Sequence, residues 1–327
     1  MEVDKMNAAI ISSSQVPLNL NHPSFDNLIE HFRKDCELRK FVTAKKCAID
    51  TRKLCLWLEA RKKGVTEITK NDLKDYLYHM QEERGLKFES IKREFTTINC
   101  FYSYLEEEEL ISQNPIPAFR KRYLSAYKND PNSEKRQIIS VEDAARLVSS
   151  TLETRDRAII LLFLKTGMRL GELASLDVSD VNMNDLSLTL KETAKRSNRL
   201  LFFDHETAEV LAQWLAIRGL RRGSENPALF PSDYRGHLCR CQIQISVKKH
   251  AQVIGLHDPR SDKLANKFGP HCCRHWFTTH LLRAGMRREY VKWLRGDAIK
   301  EAVDIYYHID PEDVRKEYMT HIPQLGV

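Results

Sequence analysis

The 327-residue chain has no apolar run long enough to cross a bilayer. A spanning helix needs about twenty apolar residues in succession, and the longest strongly apolar stretch, Ala158–Leu164, is far shorter. The opening Met1-Glu2-Val3-Asp4 leads into no extended hydrophobic segment, so no secretory signal is expected. Cysteine is sparse and scattered, eight over the whole chain. Without a leader, that suits reduced thiols in a cytoplasmic compartment better than a disulfide framework. Nor is there an internal repeat of about 20–50 residues, which argues against solenoids and propellers. The expectation is a soluble, cytoplasmic chain with no membrane partner.

What is present suits two domains. Apolar residues make up 42% of the sequence, and mean hydropathy is −0.48. Lys+Arg number 52 against 45 Asp+Glu, a net charge of +7. That balance permits a polyanionic partner without requiring one.

Residues 1–23 are polar, with a Ser12-Ser13-Ser14 run, and read as a loose lead-in. Residues 24–117 are helical in pattern. Leu54, Trp57 and Leu58 share a face, and Leu73, Tyr76, Leu77 and Met80 follow i, i+3, i+4, i+7 spacing behind a capping signal at Thr69 and Asp72. Ile91, Phe95, Ile98, Tyr102 and Leu105 repeat the stripe, so a bundle of four to five helices is predicted. Glu106–Glu109 reads as a solvated helix end, and Asn114-Pro115-Ile116-Pro117 as a helix stop. Residues 118–137, basic at Arg120-Lys121-Arg122, read as an interdomain linker. Its charge would suit a phosphate backbone.

The second domain, 138–327, opens with a Ser140/Asp143 cap pair. A buried helix then ends at Thr166-Gly167. Leu186, Leu188 and Leu190 alternate, a polar turn follows, and Leu200-Leu201-Phe202-Phe203 completes a β-hairpin signature. Helix is predicted over 206–220, 239–254 and from Arg274 to about Tyr318.

Five phrases in this domain stand in a telling order: Thr166-Gly167-Met168-Arg169-Leu170-Gly171-Glu172-Leu173; the hairpin with Lys195; Gly269-Pro270-His271-Cys272-Cys273-Arg274-His275; Trp293-Leu294-Arg295-Gly296-Asp297; and Ile305-Tyr306-Tyr307-His308. In this order and at these intervals the chain resembles the tyrosine recombinase (phage integrase) family. Members of that family carry an arginine in a TG-x-R-x-x-E-L turn, a hairpin lysine, His-x-x-Arg, a Leu-Gly-His turn and Tyr-x-His. Counted from Arg274, the later positions fall on Gly296, Asp297 and Tyr306. Within the family the chain resembles archaeal mobile-element integrases and Xer-like recombinases. The resemblance runs from about Phe25 to Asp310 and includes the closing phrase Leu110–Pro115 of the helical bundle. It implies a mainly α fold: a helical, SAM-like core-binding domain plus a mixed α/β catalytic domain of the DNA breaking-rejoining type with a small β-sheet.

The residue types suit metal-free transesterification of a DNA phosphodiester, with no cofactor. A tyrosine with a pKa near 10 is phenolate in only about one part in a thousand at neutral pH. Its attack on phosphorus creates extra negative charge on the non-bridging oxygens, which forked guanidinium donors hold well. Arg169 and Arg274 are the expected clamp. His271, one helical turn before Arg274, would donate to the phosphate or accept the phenol proton. The resemblance assigns leaving-group protonation to the hairpin lysine. Lys195 fits best, although the family position falls one residue earlier, at Ala194, and Lys191 and Arg196 are alternatives. Tyr306 rather than Tyr307 is the expected nucleophile, since helix neighbours diverge by about 100°.

Asp297 departs from the family, which has His or sometimes Trp there. A carboxylate beside a phosphate would repel it, so Asp297 orients a cation, accepts a hydrogen bond or points away. His275 and His308 could supply the missing imidazole. A zinc site from Cys239, Cys241, His271, Cys272, Cys273 and His275 is disfavoured by its spacing, leaving most cysteines as core thiols and no metal.

Lys45, Lys46, Lys92, Arg93, Arg120, Lys121 and Arg122 are candidate DNA-backbone contacts. The resemblance also implies a C-shaped clamp on duplex DNA, working as a homotetramer on two duplexes. In that scheme the tail beyond Asp310 docks on a neighbouring protomer through Val314, Tyr318, Ile322 and Leu325. Two other functions fit the sequence: a DNA-binding accessory protein that has lost activity, and a type IB topoisomerase.

Overall fold

The computed structural model describes residues 25–125, 136–192, 198–220, 225–233, 236–297 and 309–327. Two compact units divide the chain, Met1–Pro131 and Asn132–Val327.

The first unit contains five α-helices among the described residues: α1 (Asp26–Leu38), α2 (Ala44–Glu59), α3 (Lys70–Tyr78), α4 (Phe88–Glu107) and α5 (Ile116–Tyr123). The stripe residues meet in its core, where Leu54, Leu58, Tyr76, Phe95, Ile98 and Tyr102 are fully buried. α3 starts where the sequence indicates: Asp72 N donates to Thr69 Oγ1 (3.3 Å) and Thr69 N to Asp72 Oδ2 (2.8 Å), satisfying two of the amides left without partners at the helix start. Glu94 is buried but satisfied, accepting from Tyr76 Oη at 2.7 Å and from Arg84 Nη1 at 2.8 Å.

The expected helix stop at Asn114-Pro115 is instead a helix start. α4 already ends at Glu107, and Asn114 Oδ1 accepts the Ile116 amide at 2.9 Å. Proline in the first turn loses no hydrogen bond, because that amide has no partner inside a helix. Phe119 then stacks on Phe95 with centroids 5.4 Å apart. The beginning of the expected linker, with Arg120, Lys121 and Arg122, therefore belongs to a helix packed on the bundle.

In the second unit, α6 (Val141–Ser150) is capped by Ser140, whose Oγ accepts the Asp143 amide at 3.0 Å. α7 (Thr154–Thr166) runs through the core, with every residue of Ala158–Leu164 buried. Burial of each large aliphatic or phenyl side chain contributes about 1.5–3 kcal/mol, so this helix anchors the unit. It ends at Gly167 with φ 59°. A Cβ there would lie 2.4 Å from Phe277 Cδ1, so both backbone and space require glycine.

After the short α8 (Leu170–Leu173) comes a three-stranded antiparallel sheet: β1 (Val181–Asn182), β2 (Ser187–Thr189) and β3 (Leu200–Phe202). Leu188 pairs with Leu201, as the alternation indicates; the two-residue β1 is too short to show a pattern. Then follow α9 (His205–Leu220), α10 (Arg240–Val253), α11 (Pro270–Arg283), α12 (Arg288–Arg295) and α13 (Pro311–His321). The helix expected from Arg274 onward begins earlier, at Pro270, and is interrupted where Gly285 (φ 100°) and Gly296 (φ 59°) turn left-handed.

The tail corrects a second expectation. Val314, Tyr318, Ile322 and Leu325, expected to dock on a neighbour, are buried in the core of their own unit. Tyr318 Oη donates to Lys165 O at 2.8 Å. The fully buried Lys165 ammonium reaches Asp204 Oδ2 (2.5 Å), Glu206 Oε2 (2.6 Å) and Pro323 O (2.7 Å). Glu206 also accepts the Leu325 and Gly326 amides. Among the described residues no helix is long and apolar enough to cross a membrane.

Candidate active site

Three chain segments build one cleft. Arg169 follows the left-handed Gly167 in extended backbone, immediately before α8. Glu172, one turn later and buried, accepts the Arg169 amide at 2.7 Å and Arg169 Nη1 at 3.0 Å. One carboxylate thereby caps α8 and aims the guanidinium.

Arg274 rises from α11 and is only 7% exposed. Its Nη1 donates to Gly167 O at 2.6 Å and its Nη2 to Arg295 O at 2.8 Å. Carbonyls at helix C-termini are good partners for a buried cation. Arg274 thus joins the ends of α7 and α12.

His271 sits in the first turn of α11, its ring 4.5 Å from that of His275 in an edge-to-face arrangement. His271 is exposed, but desolvation by the protein around its ring, and then the charges of His275, Arg136, Arg274 and Arg295, hold its imidazole below the usual histidine range. His275, also exposed, is lowered for the same reasons, by desolvation and by the three arginines. A neutral imidazole keeps one nitrogen able to accept a proton.

Arg169, His271 and Arg274, with Met168, Leu170, Gln244 and Pro270, line a cleft of about 160 Å³. Two arginines and a neutral imidazole facing one cavity form an anion site with a base at hand. A sequence model of the phage integrase family matches residues 132–313, more than half of the chain. The chain belongs to the phage integrase family. It is a tyrosine recombinase, an enzyme of site-specific DNA strand cleavage and rejoining.

The tyrosine recombinase XerD of Proteus mirabilis is 26% identical over 317 residues, covering 95% of this chain and 98% of the relative. XerC of Thermodesulfovibrio yellowstonii is 28% identical over 245 residues, 72% of this chain and 76% of that protein. Among solved structures, the Tn1549 transposon integrase in complex with a circular intermediate DNA aligns with a TM-score of 0.65 at 17% identity, covering 89% of this chain and 98% of that one. XerH recombinase bound to its difH substrate aligns at 0.61 and 18% identity, covering 90% and 84%. These two likenesses concern the fold.

In this recombinase Asp297 neither points away nor stands alone: its Oδ1 lies 3.5 Å from Arg274 Nη2 and its Oδ2 3.2 Å from Arg295 Nε. Tyr306 and Lys195 lie outside the described residues, as do the alternatives Arg196 and His308. Lys191, the other alternative for the hairpin lysine, is held at the sheet by Asp177 Oδ2 at 2.7 Å. The lysine hydrogen bond and that of His237 hold the Asp177 carboxyl below the usual range. Cys272 and Cys273 are core thiols of α11, whereas Cys239 and Cys241 are exposed around the start of α10.

The candidate DNA contacts divide in two. Lys45 and Lys46 are exposed on α2, the latter paired with Asp50 at 2.7 Å. On α4, Lys92 pairs with Glu89 at 3.2 Å, and Arg93 is exposed. Arg120 Nη2 reaches Thr96 Oγ1 at 3.1 Å, which brings the head of the Arg120-Lys121-Arg122 cluster beside the Lys92–Thr96 turn. Lys121 and Arg122 are exposed.

Sequence reasoning assigned no role to Glu172, Gln244, Arg240 or Arg295. Glu172 at the third position of α8 supplies only the carboxylate half of a capping box, accepting the Arg169 amide. Arg240 and Gln244 are one turn apart on α10, and the Arg240 guanidinium lies against Gly171, with Nη2 3.1 Å from where a Cβ would stand. That contact joins residues distant in sequence and leaves no local trace.

Proposed function

We propose that Tyr306 is the nucleophile of this recombinase and that Arg169 and Arg274 clamp the scissile phosphate. The observation that carries the reading is the convergence of Arg169, His271 and Arg274 on one cleft. In the step proposed, Tyr306 Oη bonds to phosphorus and the bond from phosphorus to the 5′ oxygen breaks. The phenol proton passes to His271, and Lys195 gives a proton to the departing oxygen. A 3′-phosphotyrosyl linkage results. It conserves the energy of the backbone bond, so a 5′ hydroxyl from the second duplex can reverse the step without ATP. Preorganised charged donors such as the two guanidinium groups are each worth about 3–4 kcal/mol in comparable sites.

Double-stranded DNA is the partner this chemistry requires. Lys45, Lys46, Lys92, Arg93 and the Arg120–Arg122 cluster would supply salt-dependent backbone contacts. Exchange between two duplexes involves cleavage of four strands, which supports a homotetramer with one site per strand. Free thiols at all eight cysteines fit a cytoplasmic setting.

The test uses a pool of duplexes of randomised sequence, each with a single nick to trap the product. After denaturing electrophoresis, wild type is expected to yield a covalent protein–DNA adduct. Tyr306→Phe is expected to yield none, and Arg169→Ala or Arg274→Ala at least a hundredfold less. An adduct that persists in Tyr306→Phe would overturn the assignment.

A further inference from the structure

We infer that Arg295 is a third guanidinium of the phosphate site, held beside Arg274 by Asp297, which acts as a positioning residue. The inference deepens the proposed function and rests on it.

The left-handed Gly296 (φ 59°) ends α12, and the chain folds back so that the Asp297 amide donates to Lys292 O at 3.2 Å. This turn sets the Asp297 carboxylate between two cations, 3.2 Å from Arg295 Nε and 3.5 Å from Arg274 Nη2. Arg274 lines the cleft, and Arg295 shares the Asp297 carboxylate with it. Unlike Arg274, the Arg295 and Asp297 side chains are about one-third exposed, at 34% and 33%, and so can meet an arriving anion. The Arg295 charge is also among those that, after desolvation, lower the His271 and His275 imidazoles.

Charge compensation supports the pairing. An imidazole at position 297 would give the phosphate an N–H donor but, when neutral, would leave the two positive charges of Arg274 and Arg295 uncompensated beside that of Arg169. An ionised aspartate only accepts. With it, Arg274, Arg295 and Asp297 together carry one net positive charge, and a guanidinium brings five N–H donors. The donor absent at position 297 is regained at position 295, and the carboxylate between the arginines offsets their repulsion.

The experiment measures adduct formation by the full chain on a nicked duplex recovered from the randomised pool. Arg295→Ala is expected to slow it about a hundredfold, the usual effect of losing one preorganised donor, with partial recovery in Arg295→Lys. Asp297→Asn is expected to lose at least tenfold, and Asp297→Glu to regain part. If Asp297 merely repelled phosphate, Asp297→Asn would be faster than wild type, and the inference would fall. On a duplex whose scissile phosphate is a methylphosphonate, one anionic oxygen is gone, and the Arg295→Ala loss should shrink to less than tenfold. A structural role would give equal losses on both substrates and would overturn the inference.

Calorimetric binding of inorganic vanadate without DNA gives a reading that does not depend on the nucleophile. Affinity should fall at least fivefold in Arg295→Ala; an unchanged affinity counts against Arg295 whatever the DNA assay gives. Unaltered thermal melting of the variants excludes misfolding, since Arg295 holds Arg274 through its backbone carbonyl. If Tyr306→Phe abolishes the adduct while Arg295→Ala stays within twofold of wild type, this inference alone is wrong. If Tyr306→Phe still forms the adduct, the nucleophile reading fails, and vanadate binding still decides the role of Arg295.

Discussion

Replacing Gly167 by alanine disturbs the fold and the site through one atom. The new Cβ would lie 2.4 Å from Phe277 Cδ1 and 2.8 Å from its Cγ, far inside the 3.5–4.0 Å at which carbon atoms rest. Phe277 is fully buried and cannot swing into solvent. Overpacking of this kind costs about 1–3 kcal/mol. Holding an L-residue at φ 59° adds about 1–2 kcal/mol. The expected loss is therefore about 2–5 kcal/mol, a large share of the about 5–15 kcal/mol that stabilises a typical domain. Function should suffer further, because Gly167 O accepts from Arg274 and Arg169 follows two residues later. A displacement of about 1 Å at reacting groups can cost about a hundredfold in rate. Urea unfolding of Gly167→Ala, Phe277→Leu and the double variant would isolate the clash, because a smaller side chain at position 277 should relieve it. The double variant is then expected to be at least about 1 kcal/mol more stable than additivity allows. Additive effects, or a Gly167→Ala loss under about 0.5 kcal/mol, would refute the reasoning.

Lys165→Met leaves the Asp204 and Glu206 carboxylates without their shared cation, which should destabilise the second unit by about 3–5 kcal/mol; melting, with faster carboxypeptidase digestion of the tail, reads both effects. His271 and His275 have depressed pKa values in the fold, so below the ordinary value near 6.5 the unfolded chain binds more protons. Their contribution to stability is therefore full above that value and is lost as pH falls through the folded values; His271→Gln/His275→Gln should flatten the melting temperature against pH just below 6.5, and an unchanged profile would contradict this. The same depression keeps His271 a base below pH 6.5, so the acidic limb of the adduct-rate profile should begin lower than an unperturbed histidine gives. In the first unit, Thr69→Ala removes the α3 cap and should cost about 1 kcal/mol by urea unfolding.

Elements whose side chains repeat against a single core could be read directly. Leu73, Tyr76 and Met80 share a helix face and are buried together, and Thr69, Ser140 and Gly167 mark helix ends through bonds that span only a few residues. The reading fails where a distant partner decides. Asn114-Pro115 serves a stop and a start equally well; the choice rests on Phe119 reaching Phe95. An apolar side at Val314, Tyr318, Ile322 and Leu325 was legible, but not what covers it, because Lys165, Asp204 and Glu206 are far away in sequence. In the cleft, ordered motifs located Arg169, His271 and Arg274, since a shared chemistry fixes their types and intervals. The attachment of Asp297 to both Arg274 and Arg295 depends on how the Gly296 turn meets α11, and a departure from the family motif does not reveal its own compensation.

Peptide mapping of the trapped adduct tests the central claim most directly. After nuclease and protease digestion, mass spectrometry should find a nucleotide joined through its 3′ phosphate to the phenol of Tyr306. A nucleotide on Tyr307, on any other side chain, or on none would contradict it.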